Sequence, residues 1–246
     1  MSLDLHKLGN KLDEALIKET TETLTKFLND KRMINNLDII KPLLNFEKKG
    51  DFYMLYVFKR KKDQPEAERD NHQSVRTIKT YCIESIDHLE RRWDEIKQLC
   101  EMFKARAYIH VQKQNHFDVS LNMMVALAQR IQDGNTNQKG LFDSVVGQIK
   151  TQEKRWIVDI DTKDESFDRE IQLFINTQCL PFGMKIIANI PTKNGVHLIT
   201  ERFDVKTFSE KYPEIDIQKK NPTLLYYPNS LDYEEDINAF VNISVY

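Results

Sequence analysis

The sequence predicts a mixed α/β body with a helical extension at its N-terminus. Three observations predict it. Short β-branched and aromatic runs alternate with helical stripes, each apolar stripe or alternation is long enough to cover one face of a neighbour, and no internal repeat or glycine-rich linker divides the chain. With 246 residues, 40% of them hydrophobic, one body can bury a substantial core.

Leu5, Leu8, Leu12, Leu16, Leu24, Phe27 and Leu28 stand at helical spacing among charged residues, so an amphipathic helix or helix pair is expected over residues 3–31. The extension is assigned residues 1–46 and the body residues 47–246. Lys49-Gly50-Asp51 turns the chain into a strand from Phe52 to Phe58. The polar stretch Asp63 to Ser74 reads as a loop, and Val75 to Ile83 as the returning strand. Ser85 begins a helix whose stripe is Ile86, Leu89, Trp93, Ile96, Leu99, Cys100 and Phe103. Ala105 to Val111 reads as a strand, Asp118 to Ile131 as a helix closed by Asp133-Gly134, and Leu141 to Ile149 as a short helix. Ser166 is placed to cap a helix that ends near Leu180-Pro181-Phe182-Gly183. Met184 to Ile190 and Val196 to Thr200 then form two strands, with Asn194-Gly195 as the turn signal between them. Asp204 caps a helix over Val205 to Lys211.

Composition restricts function. A net charge of −2 and a pI near 6.3 argue against general polyanion binding, so contacts with nucleic acid must be local. Basic clusters at Lys48-Lys49, Lys59 to Lys62, Arg91-Arg92 and Lys104 with Arg106 are interleaved with Tyr53, Tyr56, Phe58, Trp93 and Tyr108; on composition alone they read as solvated surface. Cys82, Cys100 and Cys179 are scattered and odd in number, which predicts neither a disulfide framework nor a four-cysteine zinc site. A reduced, cytoplasmic setting without export signal or membrane span is expected.

The chemistry concentrates in two segments. In Trp156-Ile157-Val158-Asp159-Ile160-Asp161 the alternation sends both acids to one face of a strand, about 7 Å apart. Two such carboxylates suit hard divalent cations, as at phosphoryl- and nucleotidyl-transfer sites. In Thr192-Lys193-Asn194-Gly195-Val196-His197 a turn with a lysine precedes a strand histidine, and imidazole, ammonium and turn amides could together meet a phosphate. Taken singly, an acid pair also caps or ends strands and a histidine also packs without chemistry.

In order and form these residues resemble the archaeo-eukaryotic primase superfamily of primases and primase-polymerases. Val158-Asp159-Ile160-Asp161 matches its acid-x-acid strand, Gly195-Val196-His197 its Gly-x-His strand, and Ile215-Asp216-Ile217 its later aspartate, across about residues 105–228. Where the family often has a serine six residues before the histidine, this chain has Pro191, with Thr192 the nearest hydroxyl, and no zinc-binding cysteine cluster accompanies the core. The resemblance implies a primase-polymerase-like catalytic core, a small RNA-recognition-like sheet beside an α/β unit with the site between them. It implies Asp159, Asp161 and Asp216 as ligands of Mg2+ or Mn2+ and as catalytic residues. It further implies His197, helped by Lys193 and Thr192, as the contact to a nucleoside triphosphate, and a role in replication or repair. Arg106, Tyr108 and Lys113 are then candidates for single-stranded or primed nucleic acid, and a helicase-like protein for the N-terminal extension. Two other classes compete. Asp161-Thr162-Lys163 with Asp143 fits a metal-dependent nuclease, and the near-neutral charge fits a non-catalytic binding module on the same fold.

Overall fold

The computed structural model describes residues 33–64, 75–149 and 153–228. The helical extension expected over residues 3–31 and most of the loop expected before Val75 lie outside these residues. What is described is mixed α+β, with two antiparallel sheets and six helices among the described residues. None of those helices is long and apolar enough to cross a membrane.

The first sheet runs β1 (Ile34–Asn35), β10 (Thr223–Tyr227), β4 (Arg106–Ile109), β2 (Asp51–Arg60) and β3 (Val75–Ile83), with β5 (Gln114–Asn115) paired to the start of β2. Alternation decides its two faces. Tyr53, Leu55 and Val57 of β2 and Ala107 and Ile109 of β4 point to one side, where α2 (Ile86–Phe103) covers them with Leu89, Ile96 and Cys100. Ser85 caps α2 as expected, its Oγ accepting from the His88 N–H at 3.0 Å. Phe52 and Met54 point to the other side, under Val119 of α3 (His116–Gln132) and Leu141 and Val145 of α4 (Leu141–Gln148). Residues 34–44 belong to this body as well. Leu37 and Ile40 of α1 (Leu37–Ile40) enter the main core.

The second sheet is ordered β7 (Ile186–Pro191), β8 (Val196–Thr200), β6 (Trp156–Ile160), β9 (Asp216–Gln218). With α5 (Glu165–Thr177) after β6 and α6 (Val205–Lys211) after β8, its connectivity is βαββαβ, the split-βαβ motif. Val158, Ile160, Val196 and Leu198 pack on the helix side against Ile171, Ile175 and Phe208. On the opposite face Ile157, Ile190 and Ile199 join the core of the first sheet.

Two details differ from the sequence reading. Asp164, not Ser166, caps α5, because its Oδ1 accepts from both Ser166 N–H (2.9 Å) and Phe167 N–H (3.4 Å). The helix also stops at Thr177, since Asn176 turns back, its carbonyl accepting from Gly183 N–H and its Oδ1 from Lys185 N–H. Polar groups lock the two sheets together. Asn36 Nδ2 donates to the carbonyls of Pro191 and Leu224 at 2.9 Å each, and Gln112 Nε2 to those of Arg155 and Lys219 at 2.8 and 2.7 Å.

Candidate functional site

In β6 and β8, Ile157 pairs with Ile199 and Asp159 with His197; in β6 and β9, Asp159 pairs with Asp216. Residues directly opposite in an antiparallel ladder share a face. One face of this sheet is therefore apolar where Ile157 and Ile199 meet the first sheet, and ionisable two residues further along. There the sheets diverge into a cleft of about 280 Å³. Asp159, Asp161, His197 and Gln218 form its wall on one side, Phe58, Arg60, Arg106, Tyr108 and Leu224 on the other, and Thr192, Lys193 and Asn194 its rim.

His197 is 8% exposed and bonded at both nitrogens: Nε2 lies 3.3 Å from Asp159 Oδ1, and Nδ1 lies 2.9 Å from the Thr223 hydroxyl. Gln218 Nε2 donates to the other carboxylate oxygen of Asp159 at 3.0 Å. The hydrogen bond from His197 holds the Asp159 carboxyl below its ordinary range despite its burial, with further help from the charges of His197 and Arg60 and the Gln218 bond. Asp161 lies exposed just past the end of β6. Asp216 shares the face of Asp159 but is exposed and does not border the cleft. Among the described residues no three His, Cys, Asp or Glu side chains stand ready as a preassembled cation site. The donor chemistry nonetheless fits Mg2+ or Mn2+, since Asp159 and Asp161 offer hard oxygens to one open space.

The rim is held tightly. Thr192 N–H donates to the Gly195 carbonyl at 2.8 Å and Gly195 N–H to the Thr192 hydroxyl at 3.1 Å. A Cβ on Gly195 would fall 2.7 Å from both the nitrogen and the carbonyl oxygen of Thr162, and closer still to the Ile160 carbonyl. Glycine there lets the turn lie directly on the backbone that presents Asp161. Lys193 Nζ stands 5.5 Å from the centre of the Tyr227 ring, on the cleft side.

Of the residues chosen for nucleic acid, two lie in the cleft and one does not. Arg106 is 3% exposed; its guanidinium meets Asp63 Oδ1 at 2.7 Å and stacks 4.7 Å from the Tyr227 ring centre. Burial works against its charge, but Tyr108, Asp63 and Tyr227 outweigh that and raise its pKa. Tyr108 stacks on Phe58, centroids 4.6 Å apart and planes within 6°. Lys113 lies beyond the end of β4 and pairs with Asp51 and Glu47 at 3.4 and 3.6 Å, away from the cleft. The chain leaves the strand at Ile109, so alternation no longer governs where residue 113 points. The nuclease constellation does not assemble: Asp143 borders a separate hollow with His110 and Lys220, and Lys163 is exposed past β6.

Sequence reasoning missed Arg60, Asn194, Gln218, Asn221 and Thr223 as site residues. Gln218 carried a usable signal, standing two positions after Asp216 and hence on its face. The stretch Gln218 to Asn221 with Thr223 and Tyr226 loosely resembles the polymerase-domain version of the family, but it gave Thr223 no role, because that role depends on contact between two sheets. Comparisons with protein families, curated proteins and solved structures found no match, so geometry and chemistry alone bear on function.

Proposed function

We propose that the cleft binds a nucleoside triphosphate and joins it to a nucleic-acid strand, a metal-dependent nucleotidyl transfer of the primase-polymerase type. The observation that carries this reading is that the Asp159 and Asp161 pair and His197, distant from it in sequence, open into one cleft with Arg60, Arg106 and Lys193. Carboxylates on one wall and cations on the rim and opposite wall match a substrate that is a metal-bound polyphosphate. When bound, Mg2+ or Mn2+ supplies Lewis-acid stabilisation of charge on the reacting phosphate and lowers the pKa of the attacking hydroxyl. Asp159 and Asp161 would hold it, with Asp216 the nearest further carboxylate of that face.

The protein's own groups do the rest. His197 Nε2 and Lys193 are positioned to bind phosphate oxygens, and the turn amides around Asn194 add donors on the same side. The Phe58–Tyr108 stack offers an aromatic floor against which a base or sugar can lie, beside the buried charge of Arg106. The βαββαβ sheet with its ionisable groups on the two central strands, β6 and β8, agrees with the resemblance found in the sequence.

The test is incorporation of labelled nucleotide on primed and unprimed templates with magnesium or manganese. Strand growth that disappears in Asp159→Ala/Asp161→Ala is expected. Shortening of the strand without nucleotide would instead establish a nuclease. Absence of growth together with absence of manganese binding in calorimetry would leave a non-catalytic module.

A further inference from the structure

The contact between His197 and Thr223 joins β8 of the second sheet to β10 of the first. Thr223 is the first residue of β10 in the first sheet, follows Pro222 at the cleft wall, and is fully buried. A valine would fill the same volume there, favour the strand equally and leave no polar atom to satisfy. The hydroxyl therefore requires a reason, and the 2.9 Å bond to His197 Nδ1 supplies one.

Asp159 Oδ1, 3.3 Å from Nε2, can only accept while ionised, so that contact places a proton on Nε2. Nδ1 accepts from the Thr223 hydroxyl when the ring is neutral and donates to it when the ring is charged, and in both states the bond holds the ring plane. Asp159 can hold His197 only while its carboxylate is turned toward the ring. Once that carboxylate is engaged by a cation, Thr223 is the remaining side-chain bond that keeps the imidazole plane fixed.

We propose that Thr223 is a positioning residue: from the opposite sheet it anchors His197 so that the Nε2–H stays directed into the cleft as the donor to a polyphosphate anion. The proposal rests on the reading above only in taking a triphosphate as the anion. Thr223 itself touches no substrate and acts through the ring.

The experiment uses the full chain and inorganic triphosphate in magnesium buffer, titrated by calorimetry without nucleic acid. Thr223→Val is expected to weaken binding about tenfold, the loss of roughly one net hydrogen bond, while Thr223→Ser stays within about twofold. In His197→Ala, adding Thr223→Val is expected to change nothing further, because the two residues act as one unit. In nitrogen-15 spectra the Nδ1 resonance of His197 should move in Thr223→Val as that hydrogen bond is lost, and stay in place in Thr223→Ser. The proposal is overturned by any of four results: no triphosphate binding to the unaltered protein, equal damage from serine and valine, an undiminished valine effect in the His197→Ala background, or an unmoved Nδ1 resonance. Failure of nucleotide incorporation alone would sink the proposed activity and leave this role standing.

Discussion

Replacing Gly195 with alanine inserts one carbon where the β7–β8 turn lies on the end of β6. The added Cβ would sit 2.7 Å from Thr162 N and O and nearer to the Ile160 carbonyl, whereas ordinary contact begins near 3.5 Å. The obstacles are backbone atoms, not the ends of flexible side chains, so the turn or the end of β6 must move by about 1.5 Å to clear the Ile160 carbonyl. Overpacking of this kind costs roughly 1–3 kcal/mol, and a main-chain clash belongs at the upper end. At about 2–4 °C per kcal/mol for a chain of this size, about 3 kcal/mol lowers Tm by about 6–12 °C. Thermal unfolding followed by circular dichroism measures it. Gly147 supplies the control: it lies in α4, and a Cβ there meets nothing within 4 Å. Gly147→Ala should therefore hold or raise Tm, by up to about 2–4 °C for about 1 kcal/mol of helix propensity. The displacement also separates Asp161 from Lys193 and His197, and a shift of about 1 Å in a reacting assembly costs on the order of a hundredfold in rate. A Gly195→Ala protein that melts within about 1 °C of its parent refutes the close approach as drawn.

Two further outcomes follow from the charges around the cleft. Asp63→Leu removes the partner of Arg106 while both side chains are 4% exposed, so it should cost about 3 kcal/mol in urea unfolding; adding Arg106→Met should recover most of it, and a loss below about 1 kcal/mol for the single variant would show the pair to be solvated. Asp159, whose folded-state pKa is depressed, contributes stability that is complete above the unfolded pKa near 3.9 and is lost as pH falls through the lower folded value. The stability gap between the parent protein and Asp159→Asn should accordingly be constant from about pH 7 to 5 and narrow below about pH 4, and a gap that stays level to about pH 3 contradicts the His197 bond.

Much of this arrangement was legible in the residues, and what was not has definite causes. Alternation put Asp159 and Asp161 on one face, Asn194-Gly195 announced the hairpin, and Asp204 was identified as the cap of α6, its Oδ1 accepting from Lys206 N–H at 3.0 Å. Each of these is local in sequence. No strand was foreseen after Thr200, yet β9 and β10 are both present. Asp216-Ile217-Gln218 is too short to show a period, and Thr223 to Tyr227 is buried throughout, so it lacks alternation. Tertiary pairing with β6 and β4 makes them strands. Arg106 read as an exposed basic residue because its partner Asp63 lies 43 positions away. The surrounding charge pattern holds no trace of that pairing.

The placement of the cleft follows from a change of character along one sheet face. Ile157, Ile190 and Ile199 seal the second sheet to the core of the first, and a step of two residues, about 7 Å along the strand, reaches Asp159 and His197. The ionisable pair thus stands at the edge of a dry core, open to water on one side only. Charges in such a position interact more strongly than in bulk water because the low-dielectric wall cannot screen them. That same wall restricts their motion: Ile199 is fully buried two residues from His197, and Ile157 lies two residues from Asp159. Slippage between the sheets would shift the core contacts and the acid–histidine pair together. Stability of the sheet junction and geometry of the cleft are consequently one physical property, and the hydrogen bonds of Asn36, Gln112 and Thr223 across that junction act on both.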